Sequence, residues 1–173
     1  MTATALRPPA SEPAHPLDPA RLAEANINPA TGLATDYLNH FNEAIMMLEL
    51  MATTPDCIDD LMAWRPMSYR EHFIASKQKH RDLAVAAYEA AEPKVRRRLD
   101  ELANVMNAIL VSTREALRLN VPASAAAMLA QDAAAQLKPI VARAGAVING
   151  REVVGEAAPA GATQAAVDAL MER

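Results

Sequence analysis

Residues 36 to 52 read as one helix, the segment around which the rest of the chain is organised. On a helical wheel at about 100° per residue, Tyr37, Leu38, Phe41, Ala44, Ile45, Leu48, Met51 and Ala52 form a broad apolar arc, with Asp36, Asn39, Asn42 and Glu43 opposite. Met46, Met47 and Leu50 fall among the polar positions, so the second half of this helix is apolar nearly all round. A helix of that kind is expected to be covered on more than one side. The cover comes either from the chain's own helices or from a second molecule, and the functional reading turns on that choice.

Upstream, residues 1–30 carry Pro8, Pro9, Pro13, Pro16, Pro19 and Pro29 and few large apolar groups, the pattern of a disordered tail. A short helix over 18–25 fits inside it, with Pro19 at its first position after Asp18. Asn28-Pro29-Ala30-Thr31-Gly32 reads as a turn, and Thr35 as the N-cap of the main helix.

Downstream, Thr54-Pro55 starts a short connecting helix whose inward side is Cys57, Ile58, Leu61, Met62 and Trp64, and Arg65-Pro66 ends it. Ser68-Tyr69-Arg70-Glu71 matches a capping box and predicts a helix to about residue 91, facing inward through Tyr69, Phe73, Leu83, Ala84, Ala87 and Ala91. His72, Ser76 and His80 fall on or beside that arc. Pro93 suits the start of a third long helix, in which Val95, Leu99, Leu102, Met106, Ile109, Thr113 and Ala116 recur as a heptad stripe that Leu117 extends. Asn120-Val121-Pro122 breaks it, and an Ala-rich fourth helix follows over 123–144, which Pro139 kinks or ends. In 147–154, Asn149-Gly150 stands between two apolar pairs, which reads either as a docked hairpin or as an extended linker. Residues 163–173 suit a short terminal helix presenting Val167, Leu170 and Met171.

The pattern predicts an all-α bundle of about four main helices plus a short connecting helix. It divides the chain into a Pro-rich disordered tail (1–30), a helical bundle domain (31–145) and a flexible extension (146–173). Composition agrees: aromatic residues are 3% of the chain, so Ala, Leu, Met, Val and Ile must fill the core, which favours close-packed helices over a β-sandwich. A net charge of −4 gives no global footprint for nucleic acid. With no signal-peptide pattern and no apolar run long enough to span a bilayer, the expected compartment is the cytoplasm.

Chemistry is harder to find. The sole cysteine, Cys57, lies among Asp56, Asp59 and Asp60, whose charges oppose thiolate formation. No nucleophile elbow, phosphate loop or zincin motif occurs, so the balance favours a non-enzymatic protein with no cofactor, the enzyme class being left open. His40 with Glu43 one turn on, meeting His72 or His80, is the alternative: a bundle binding iron, zinc or haem as a sensor, carrier or oxidase. On one continuous helix His72 and His80 would stand about 12 Å apart and could not share a mononuclear metal. Lys94, Arg96, Arg97 and Arg98 form a basic patch without interleaved aromatics, read as a solvated face. An anionic lipid surface is a third class, met through that patch and the apolar stripe beside it. The favoured reading is an interaction or regulatory protein that forms a homodimer or docks a protein partner, through Met46, Met47 and Leu50 and the corner residues Trp64 and Tyr69.

Overall fold

A computed structural model describes residues 17–151 apart from 52, 55, 56 and 120. The described chain is an all-helical bundle: α1 (Pro19–Glu24), a 3-10 turn (Thr35–Leu38), α2 (Asn39–Leu50), α3 (Cys57–Ala63), α4 (Tyr69–Ala75), α5 (Arg81–Ala90), α6 (Pro93–Leu117) and α7 (Ala123–Ile148). The two long helices α6 and α7 form an antiparallel pair. Helix α2 lies along α7, and α3, α4 and α5 complete the bundle around them.

Helix α1 starts as its sequence demands, with the Asp18 carboxylate accepting from the Ala20 N–H and Pro19 in the first turn. It is not part of a loose tail. Leu22 and Ile27 are buried in the core, and Ile27 pairs with Ala34 in an isolated antiparallel bridge. The expected disordered tail is therefore ordered from Leu17 to Ala30, because two apolar residues on a short element are enough to anchor it; residues 1–16 lie outside the described part. The Asn28 to Gly32 turn forms as expected. Gly32 has φ +71, and a Cβ there would meet the Ala87 carbonyl oxygen at 2.8 Å, so both backbone and space require glycine. The Thr31 hydroxyl donates to the Ile148 carbonyl at 2.6 Å, tying this turn to the end of α7.

Thr35 does not cap α2; it opens the 3-10 turn. Ala34 ahead of it is held extended by its bridge to Ile27 and by donating its N–H to the Tyr69 hydroxyl at 2.9 Å. The single helix expected from residue 69 to 91 is two. Continuing it through Ser76 and His80 would have turned polar groups inward. Instead Ser76 closes α4, its hydroxyl donating to the Phe73 carbonyl at 2.9 Å, Lys77 to His80 are exposed, and α5 begins at Arg81. The capping box at Ser68 and Glu71 is complete in both directions.

In α6 the buried face is Leu99, Leu102, Ala103, Met106, Leu110, Thr113, Arg114 and Leu117. The seam passes through Leu110, with Ile109 at its edge, since a straight helix drifts off a strict seven-residue repeat. Helix α7 runs through Pro139, whose missing N–H leaves the Ala135 carbonyl without its helical donor; both residues are on the exposed side, where water can take that place. It continues through Val147 and Ile148, both buried, so neither the hairpin nor the extended linker holds for these two residues. Asn149 and Gly150, at φ +65, form the helix C-terminus rather than a hairpin turn. The remaining hairpin residues and the terminal helix expected over 163–173 lie outside the described residues. Ala130, Ala133, Ala134 and Ala144 on the buried face of α7 leave room for its neighbours to approach closely.

Candidate functional site

Helix α2 turns Phe41, Ala44, Ile45 and Leu48 into the core, and His40 with them. On its outer side Met46 is 54% exposed and Leu50 41%, one turn apart, while Met47 packs partly against the core. Among the described residues, no helix therefore covers Met46 and Leu50 on the outer side of α2. Trp64 and Tyr69, grouped with this surface on sequence grounds, are not part of it: both are buried. The Trp64 indole N–H donates to the His40 carbonyl at 3.1 Å, and the Tyr69 hydroxyl accepts the Ala34 N–H. They pin the corner between α3 and α4, because an aromatic side chain with one polar handle is stable in a core when that handle is bonded.

One feature has no counterpart in the sequence pattern. The chain's one Trp, three Tyr and two Phe all join a single cluster, with His40 and His72 inside it. His40 stacks on Trp64 at 4.6 Å and lies 6.0 Å from the His72 ring. The Nε2 atoms of both imidazoles are enclosed, with no hydrogen-bond partner among the described residues. Burial pushes His40 down to about 4, with the neighbouring His72 acting in the same direction and a backbone hydrogen bond to Arg65 opposing. His72 is also lowered by burial, against the opposing charges of Asp36 and Glu43. His80 is not near this pair in role or setting; it is exposed at the N-cap of α5. Glu43 is exposed on α2, and among the described residues no group of three or more His, Cys, Asp or Glu side chains could hold a metal ion.

The basic patch lies at the start of α6. Arg96 sits over the Tyr88 ring at 5.6 Å and donates to the Glu89 carbonyl at 3.0 Å, Arg98 pairs with Glu101 at 3.4 Å, and Lys94 and Arg97 are exposed. Of the apolar stripe of the same helix, Leu99, Leu102, Met106, Thr113 and Leu117 are turned into the core, and Val95, Ile109 and Ala116 are half-buried. Among the described residues no helix is long and apolar enough to cross a membrane.

A site that sequence reasoning missed lies on another side of α6. Asp100, Ala103, Asn104 and Asn107, spaced for one face of a helix, meet the 66–68 segment, Glu71, Tyr37 and Tyr88 around a cavity of about 440 Å³. Tyr88 donates to the Asp100 carboxylate at 2.8 Å, and burial raises the Asp100 carboxyl above its usual range. The signal was present as a polar stripe beside the heptad seam, indistinguishable in one dimension from a solvated face. Arg114 was missed for the same reason. It is buried, and its guanidinium donates to the Met62 carbonyl at 2.6 Å, holding α3 to α6.

The class these features define is a compact all-helical bundle with extensive packing between its helices. No family model, curated protein or solved structure matches this chain.

Proposed function

We propose that this chain is a non-enzymatic interaction protein that self-associates through the outer face of α2. The observation that carries the reading is the exposed pair Met46 and Leu50, standing opposite a fully enclosed Phe41, Ala44 and Leu48 on the same helix. A second copy suits this face. Two α2 helices related by a twofold axis would set Met46 and Leu50 against the same pair, and Asn39 and Asn42 on the exposed side supply hydrogen-bonding edges. Glu49 is paired with Lys138 of α7, so the rim carries both signs of charge. Covering a half-exposed side chain yields on the order of 1 kcal/mol, and neighbouring contacts must contribute the rest.

Light scattering coupled to size exclusion tests this. The wild-type chain is expected as a dimer and the double variant Met46→Glu, Leu50→Glu as a monomer with unchanged helical circular dichroism. A wild-type chain that stays monomeric as its concentration rises sinks the reading.

A metal- or haem-binding bundle is the second reading. What supports it is the enclosed, unpartnered Nε2 atoms of His40 and His72. His80 and Glu43 do not complete a ligand set around them. Elemental analysis and an absorption spectrum of the purified protein separate the two readings.

A further inference from the structure

In the cavity against α6, the hydroxyl protons of the walls are already committed. Tyr37 donates to the Met67 carbonyl at 2.8 Å, Tyr88 to Asp100 at 2.8 Å, and Ser68 to Glu71 Oε2 at 2.8 Å. What these groups still present is lone pairs, on two phenol oxygens and two carboxylates. Asn107 adds Oδ1, an enclosed acceptor with no hydrogen-bond partner. Among the described residues, no Lys, Arg or His lines the space.

We propose that this cavity binds a small organic cation bearing a primary ammonium or guanidinium group, held by Asp100, Glu71 and the Asn107 carbonyl oxygen. An ammonium brings three donors and a guanidinium five, with no acceptor, the complement of these walls. An anion would meet two carboxylates, and an apolar guest would leave the Asn107 acceptor unsatisfied at a cost of about 1–3 kcal/mol. The volume is within the range of small-ligand sites.

Arg96 is the internal cation near Asp100, but it lies over the Tyr88 ring with its Nη1 tied to the Glu89 carbonyl, outside the lining. The Tyr88 ring also stacks on Tyr69 at 4.6 Å, so its faces are taken and recognition runs through the acceptors instead of an aromatic face. The Asp100 carboxyl is raised chiefly because burial disfavours its ionised form, a deficit that a bound cation would offset. This site is independent of the outer face of α2.

Calorimetric titration of the full chain with putrescine and agmatine, and with butanediol as the neutral control, tests the proposal. Both amines should bind, the diol should not, and affinity should fall with added salt. Asp100→Asn keeps an acceptor for Tyr88 and should weaken amine binding about tenfold or more. Glu71→Gln keeps the capping box and should weaken it less. Asn107→Leu removes an unpaired acceptor without a change of charge and should also lose binding, giving a readout if Asp100→Asn fails to fold. The proposal is overturned if neither amine binds, if the diol binds as tightly, or if the folded Asp100 or Asn107 variant keeps full amine affinity.

Discussion

His40 is a base held in a place where its charged form is disfavoured. Its ring is stacked on Trp64, it is 7% exposed, and its pKa is pushed down to about 4. The unfolded chain takes up this proton near pH 6.5, before the native state does, so the stabilising effect of the neutral ring is complete above that pH. It is lost as pH falls toward about 4, by on the order of 3 kcal/mol for this group. His72, lowered as well, adds to the loss. Denaturant unfolding measured from neutral pH to pH 4 should therefore fall more steeply for the wild type than for His40→Gln. Parallel curves would contradict this account. The sequence placed His40 at the edge of an apolar arc, which is where it is, but could not say that its neighbour would be Trp64, twenty-four positions away.

At the scale of elements, local chemistry decided where helices start more firmly than where they stop. Ser68 and Glu71 make the capping box that their spacing implied, with Ser68 N–H donating to Glu71 Oε2 at 2.8 Å and Glu71 N–H to Ser68 Oγ at 3.2 Å. Ser68→Ala should destabilise the protein by about 1 kcal/mol, measured as a lowered denaturation midpoint with unchanged slope; an unaltered midpoint would mean that packing alone fixes the start of α4. The ends behaved differently. Helix α4 stops at Ala75 within a pattern that continues on a wheel, and α7 passes Pro139 and runs four residues beyond the end expected at 144, to Ile148. In each case the decision depends on which side of the element faces water, and burial is a property of the assembled bundle.

Across the whole molecule, one core runs from Leu22 and Ile27 through Phe41 and Leu48 to Leu99, Met106, Leu110 and Leu137. Each element contributes to it, so unfolding is expected to be a single cooperative transition. Trp64 fluorescence and far-ultraviolet ellipticity should give coincident curves, and Leu137→Ala should lower both together by roughly 2–5 kcal/mol. Separate transitions would show that α3 and its corner open independently of α6 and α7. The aromatic cluster makes coincidence a demanding test, since Trp64 reports on a set of rings that joins the 3-10 turn, α2, α4 and α5.

The sequence by itself determined the helical class, the capped starts of α1 and α4, the proline-marked start of α6, and the inner face of α2, because periodicity and capping act between residues a few positions apart. It also marked Met46 and Leu50 as apolar groups in polar positions. Only the tertiary structure decided that Trp64 bonds to His40 and Tyr69 to Ala34, that the polar stripe of Asp100, Asn104 and Asn107 borders a cavity, and that six scattered aromatics form one cluster. These outcomes depend on which distant segments meet, and a helical wheel carries no information about what lies across from it.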